Sequence, residues 1–600
     1  MSQKERNEID TRYQWNLTDL YPTLDDWRND LTSLNLESKK FLSFKGKLGA
    51  SATNLLDYFT FNSDFSKRLA RVAIYVSLLS DEDLRNADNN ALYKEVEQLY
   101  VDLSQLTDFV SSELAAIEKE TFDKYLSEEP KLEPFRMAIT KVIRQKEHTL
   151  SEKEESLMAK TNIMGDVPNS AYSIFTNAEM PWPTITLSDG KEIVLNQAAF
   201  SQVRASSNKD DRELAFNEFW GTWKKFEGTF GELMNGNIKQ TLFYSIARKH
   251  NSSLEASLYS NNIPVDVYHS LIENVNKHLD TFHRYLKLKQ RLMGLDQLKY
   301  SDLYAPAVKD VELKYSYEEA QSLVLEAVQP LGKEYVDVIK RAFNERWIDV
   351  YPNIGKSSGA YSNGGAYDVH PYILMNYNDQ YNSVGTLIHE LGHTMHSYLS
   401  NKKQPYVTSR YAIFVAEVAS TFNEALLDHI MLKKITNKEQ RISLLMNMLD
   451  GFKGTLFRQT QFAEFELAMH EAGQKGVPLT GKAFSKMYGD IVRKYYGHDK
   501  DVCYVDEKVN MEWAFIPHFY RPFYVYQYST SFVASQALAE IVLSGDQKAT
   551  ERYLEFLSSG GSDFPINILK KAGVDMTTSE PFEKAIEKMN KLMDEIESLL

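Results

Sequence analysis

From Leu24 to about Thr161, apolar residues recur three and four positions apart between Lys, Glu and Asp, and only two prolines follow residue 25. That period predicts a bundle of helices, with Leu69 to Leu79 and Tyr93 to Leu114 as its clearest members and their Tyr and Phe as core. Pro181-Trp182-Pro183 breaks the pattern. Thr184 to Leu187, the turn Ser188-Asp189-Gly190 and Lys191 to Leu195 then predict a β-hairpin. Helical period returns from Gln197 to about Leu292 and, after Tyr304-Ala305-Pro306, from Tyr317 to Phe343. A Gly/Ser-rich loop, Gly355 to Gly365, precedes the strand-like run His370 to Tyr377, where Pro371 predicts an edge strand. An edge of that kind can accept an extended peptide as an added strand.

The next run is more informative. At about 100° per residue, Leu387, Ile388, Leu391, Met395, Tyr398 and Leu399 fall within one arc, which predicts a helix with Ser383 as its N-cap. His389, His393 and His396 fall on the opposite side. Gly392 is the one weak helix former inside, costing about 1 kcal/mol against alanine, and predicts the close approach of another backbone.

Within His389-Glu390-Leu391-Gly392-His393, two imidazoles four residues apart share one helix face and can reach one metal ion. Glu390 sits one step round, where its carboxylate reaches a water beside that ion, as a general base requires. A catalytic zinc takes three protein ligands and keeps a fourth position open. After a loop at Asn401 to Thr408, the helical segment Phe414 to Glu424 is long enough to return antiparallel to the first helix. It offers Glu417 as third ligand and, seven residues on, Glu424 as acceptor for a ligand imidazole N–H, with an exchange of the two roles open. Two acids on an otherwise apolar helix are costly to bury unless paired or metal-bound. His396 is a candidate for contact with Glu424 or with substrate, and an alternative third ligand.

Far downstream, Pro517 to Ser529 sets one imidazole, His518, among the phenols of Tyr520, Tyr524, Tyr526 and Tyr528. Amide hydrolysis passes through a tetrahedral oxyanion, which such donors stabilise beside a metal. The alternative is an aromatic helix core.

Composition narrows the class. Six hundred residues exceed one ordinary core, and 43% hydrophobic with 25% charged residues is a globular balance. A formal charge of −15 disfavours attraction to nucleic acid or anionic membrane. The longest apolar candidate, Val72 to Leu79, is too short to span a bilayer. A single cysteine, Cys503, excludes an internal disulfide framework, and Met1 to Glu8 has no apolar signal core, so a reducing cytoplasm is expected.

With these pieces in view, the chain resembles the thimet oligopeptidase family of zinc metallopeptidases, in its oligoendopeptidase F branch. The likeness runs through Arg12 to Leu17, Arg346 to Tyr351, Lys356 to Tyr361, Asp368 to Tyr372, His389 to His396, Phe414 to Glu424, His518 to Tyr528 and Ser558 to Asp563. It implies a mainly α fold: a two-lobed helical body with a deep substrate channel and a small β-sheet beside the zinc site. It implies one catalytic Zn2+ on His389, His393 and Glu417, and endopeptidase action on short unstructured peptides. Glu390 would be the general base, with His518 and Tyr526 donating to the oxyanion. A second family phenol position falls on Phe523, which has no hydroxyl, so Tyr520 or Tyr524 is open as its replacement. Tyr520, Tyr524, His370 and Gly359 are further candidate substrate contacts.

The expected division is a helical region at 1–115, a segment at 116–200 that ends in the hairpin and completes the N-terminal lobe, and a catalytic domain at 201–600. Two other readings remain. A zinc aminopeptidase needs an acidic group for the free α-amine, and no Gly-x-Met-Glu-Asn segment occurs. A noncatalytic peptide-binding protein with structural zinc needs a fourth strong ligand, and none lies near the motif. Oligomeric state is left open.

Overall fold

The computed structural model describes residues 4–308 and 313–600 of the chain, so the first three residues of the N-terminal stretch read above lie outside it. The fold is mainly helical. Five short strands interrupt the helices: β1 (Thr184–Thr186), β2 (Glu192–Val194), β3 (Ile348–Asp349), β4 (Tyr361–Asn363) and β5 (Tyr372–Leu374).

The N-terminal period becomes Leu24–Ser38, the long helix Ala52–Glu82 and Ala87–Leu106. The run expected as one helix from Tyr93 to Leu114 breaks at Thr107-Asp108, where a second helix, Phe109–Ala116, begins. The hairpin forms as expected, with Ile185 opposite Ile193.

The chain gathers into two compact units that interleave along the sequence. One comprises Met1–Glu152, Glu312–Met431 and Ala534–Val574; the other Lys153–Val311, Leu432–Val533 and Asp575–Leu600. These units cut across the consecutive division at 115 and 200.

In the first unit, a core of Trp27, Phe41, Phe65 and Tyr372 joins the N-terminal helices to the three-stranded sheet. Its strand order is β3-β5-β4, parallel on one side and antiparallel on the other. β5 is therefore the central strand, not the edge that Pro371 suggested. Pro371 precedes the ladder, so its missing N–H removes no bond, and all three residues of β5 are fully buried, as a strand covered on both faces should be. Pairing continues past β5, where the Met375 and Tyr377 amides donate to Asp349 O and Val350 O. The outer strands are β3 and β4, and β4 lies inside the Gly/Ser-rich loop.

The N-terminal segment is zipped along this sheet: Asn16 N donates to Arg346 O (2.8 Å), Val350 N to Tyr13 O (2.9 Å) and Arg346 Nε to Gln14 O (2.9 Å). Beneath it, Lys356 pairs with Asp349 at 2.7 Å, and Arg6 reaches the other Asp349 oxygen at 2.6 Å.

The second unit packs Phe219 and Trp223 with Trp182 and Phe200, and buries the ion pair Arg458–Glu512 (2.8 Å). Tyr300 and Tyr488 also donate to Glu512, so the buried charge is fully met.

Candidate metal centre

The His389–His393 helix spans Tyr381–Lys403 and starts ahead of the expected cap. Ser383 lies inside the first turn, where its hydroxyl donates to Asn378 Oδ1 at 2.7 Å. Leu387, Ile388, Leu391 and Met395 are fully buried, which fixes the rotation of the helix and turns His389 and His393 to the other side. A short helix, Tyr406–Ser409, makes the connection, and Ile413–Lys434 returns alongside. The tail residues Ser558 and Gly561 seat this connection: Ser558 O accepts from Gln404 Nε2 (2.9 Å) and the Gly561 amide donates to Thr408 O (2.7 Å).

The two helices touch backbone to backbone at Gly392, as its weak helix propensity suggested. A Cβ there would stand 2.6 Å from both Ala419 O and Ser420 Cα. The crossing point is tied by Asn423 Nδ2 to Ile388 O (3.3 Å), with Tyr335 donating to Asn423 from behind (3.1 Å). Ser362 of β4 meets Thr394 at 2.8 Å, which joins the sheet to the same helix.

This approach brings Glu417 Oε2 to 3.5 Å from His389 Nε2 and 3.5 Å from His393 Nε2. Among the described residues, His389, His393 and Glu417 form a group able to hold a metal ion, their ligand atoms all within 4.8 Å of one another. Bonds of about 2.05 Å at a tetrahedral angle separate two ligand atoms by about 3.4 Å, so the three donors fit zinc. Separations of 3.5 Å are long for direct hydrogen bonds.

The carboxylates around the imidazoles set their chemistry. His389 Nδ1–H donates to Glu424 Oε1 at 2.5 Å, which leaves Nε2 free to face Glu417. Burial works against a charged His389, but the Glu424 bond and the nearby Glu390 and Glu417 charges outweigh it and raise its pKa to about 9. Burial would raise Glu417, yet His393, His389 and the Ser420 hydroxyl hold it at about 2. Ser420 Oγ donates to Glu417 Oε2 at 2.9 Å, a contact that the spacing of three on one helix face makes possible. Glu390 is 7% exposed, and burial pushes its pKa above the ordinary carboxylate range against the lowering by His389 and His393.

Three candidates go elsewhere. His396 is 1% exposed and stacked on Tyr411 at 3.5 Å, so burial drops its pKa to about 3. It is not part of the ligand group: it lies about 4.5 Å of rise beyond His393, with its ring stacked against Tyr411. His370 stacks on Trp347 at 4.4 Å and binds Pro371 O and Asp19 Oδ2, tying the sheet to the N-terminal segment. Gly359 takes φ +83° in the loop before β4, where Asn376 Nδ2 donates to its carbonyl at 2.8 Å.

In the other compact unit, His518 is exposed and shares a cluster with Tyr524 and Tyr528, each 6.2 Å away between ring centroids. Tyr524 and Tyr528 meet edge to face at 5.5 Å. Tyr526 instead turns inward, 1% exposed, against Tyr268 at 5.0 Å, and burial pushes its hydroxyl pKa far up. Tyr520 is likewise buried, against Tyr172 at 4.7 Å.

Comparison with known proteins adds the family. Residues 202–588 match the profile of peptidase family M3, and residues 113–181 match that of oligopeptidase F. Oligopeptidase PepF of Bacillus subtilis is 39% identical over 596 residues, covering 99% of this chain and 88% of its own. A crystal structure from Chlamydophila abortus superposes with TM-score 0.92 at 37% identity and full coverage of both chains. Oligoendopeptidase-F from Enterococcus faecium does so with TM-score 0.75 at 33% identity, covering 96% of this chain and 99% of its own.

Proposed function

The chain belongs to peptidase family M3, and from that premise we propose that it hydrolyses internal peptide bonds of short oligopeptides with one zinc ion on His389, His393 and Glu417. Peptidase action on oligopeptides comes with the family and its named relatives. The observation that carries the finer reading is Glu417 Oε2 standing 3.5 Å from both imidazole Nε2 atoms, the edge length of a tetrahedral zinc site.

When bound, zinc supplies Lewis-acid polarisation of the scissile carbonyl and acidifies a water. Glu390 takes the proton of the attacking water and passes it to the leaving amine; its raised pKa suits both transfers. Glu424 holds the His389 ring through Nδ1 and so presents Nε2 as the atom that would bind the ion. The added-strand role first expected of residues 370–377 passes to β4, the outer strand whose Ser362 is bonded to Thr394 of the metal helix. His518 is proposed as a donor to the oxyanion on the family resemblance. Tyr524 and Tyr528, which share its cluster, take the phenol role in preference to the buried Tyr526.

Residues 201–600 are proposed as the catalytic region, supported by the family profile over 202–588, with its residues shared between both compact units. Among the described residues no helix is long and apolar enough to cross a membrane. A cytoplasmic setting is proposed from the cysteine count of one, which leaves no internal disulfide to form.

Mass spectrometry of cuts in an N-acetylated, C-amidated peptide library tests the reading. Internal cuts that vanish with a chelator and return with zinc are expected. Intact blocked peptides beside stepwise trimming of free N-termini would instead identify an aminopeptidase.

A further inference from the structure

The turn between His518 and the phenols has a feature that its own residues do not account for. Phe523 takes φ +54°, a left-handed conformation that a bulky L residue rarely adopts. It lies between His518 and Tyr524, so its conformation sets the direction in which the chain leaves toward Tyr524 and Tyr528. Three helices of the same compact unit hold this turn by side chains. Asn237 Nδ2 donates to Phe519 O (3.1 Å), Ser257 Oγ donates to Pro522 O (3.2 Å), and Glu466 Oε1 accepts the Phe523 amide at 2.6 Å.

Glu466 is the unusual member. It lies on the helix Arg458–Gln474, fully buried, and its Oε2 has no hydrogen-bond partner among the described residues. A carboxyl in such a place costs free energy that an apolar residue of the same size would not. Burial raises its pKa to about 8, only partly countered by the Phe523 amide. Among the described residues, no cation acts on it alongside the Phe523 amide. His470 is buried and pushed down to about 4, and the Tyr268 and Tyr526 hydroxyls are pushed up. Its one bond is to the backbone of the residue whose conformation is strained, while the Phe523 ring packs on His470 and Tyr268.

We propose that Glu466 is a positioning residue: by accepting the Phe523 amide it holds the left-handed turn that brings His518, Tyr524 and Tyr528 into one cluster. The inference rests on the proposed role of that cluster. Glu466 itself touches no reacting atom.

The test is steady-state kinetics with zinc content on four variants of the full chain. Glu466→Met fills the same volume without an acceptor. It should fold and keep its zinc, with kcat lowered about 10- to 100-fold by misplacement of the donors and KM changed by less than about threefold. Glu466→Gln, whose carbonyl still accepts the amide, should restore kcat to within about threefold of wild type. Phe523→Gly in the Glu466→Met background should recover part of the loss, because glycine takes φ +54° unaided. Wild-type kcat in Glu466→Met overturns the proposal, as does a loss that neither Gln nor Phe523→Gly relieves. His518→Ala separates the two layers. If it is impaired while Glu466→Met is not, positioning alone fails; if His518→Ala keeps wild-type kcat, the role of the cluster fails with it.

Discussion

Replacing Gly392 by alanine tests whether the proposed metal centre depends on two helix backbones meeting at a residue without a side chain. The added Cβ would stand 2.6 Å from Ala419 O and Ser420 Cα, and 2.9 Å from Ala419 C. All three are backbone atoms, so no rotamer change relieves the contact. Ordinary contact begins near 3.4 Å, and the helices must part by about 0.8 Å. Glu417 is two residues from the point of contact and moves with it. Metal–ligand distances tolerate only about 0.2 Å, so part of the shift reaches the site even after the Glu417 side chain adjusts. A loss of about 10- to 100-fold in zinc affinity is expected, the size seen when support of a ligand is disturbed.

Global stability should change less. Overpacking costs about 1–3 kcal/mol, and alanine returns about 1 kcal/mol of helix propensity. Gly385, in the same helix, has nothing within 4 Å of a built Cβ. Gly385→Ala should therefore stabilise by up to about 1 kcal/mol with zinc affinity unchanged. The assay is chelator competition for zinc alongside thermal melting of both variants. Equal zinc affinities for the two alanine proteins would refute the argument, since they differ only in what the methyl group meets.

Two further outcomes follow from the site. Glu390→Gln should keep stoichiometric zinc and lose about 10²- to 10⁴-fold in kcat, as removal of a general base does, whereas Glu417→Ala should lose the metal; near wild-type turnover in the first, or full zinc in the second, would move those roles elsewhere. Glu466 predicts a pH dependence of stability. Its folded pKa of about 8 lies above the reference 4.5, so the unfolded chain releases the proton first and wild-type stability falls as pH rises from about 4.5 to 8. Glu466→Gln removes that slope, and its stability relative to wild type should improve by on the order of 3 kcal/mol between pH 5 and pH 8. A difference in melting temperature that stays constant with pH would contradict the assignment.

What could be read from the chain alone follows a physical division. His389, Glu390 and His393 were legible because helical spacing is local, and Gly392 because a helix tolerates glycine only for a reason. Glu417 was legible because a short connection forces the next helix back alongside. β4 was hidden, since three residues inside a Gly/Ser-rich loop show no alternation to read. His396 was placed by angle alone, and angular phase ignores the rise that carries it past the ligands to Tyr411.

The aromatic cluster marks where local reading ends. Tyr524, Tyr526 and Tyr528 alternate at a spacing of two, which on a continuous helix would scatter them around its circumference. The helix begins only at Tyr526, and the residues before it follow a turn whose handedness is set at Phe523. Phe523 is neither glycine nor asparagine, so nothing in its identity announces φ +54°. The conformation is held by Glu466, 57 residues earlier in the chain. A sequence window around the tyrosines therefore contains the proposed donors but lacks the contact that decides which of them share a cluster with His518. Candidate metal ligands set by helix periodicity are readable locally. Proposed donors carried on a strained turn become readable only when the distant residue holding the turn is known.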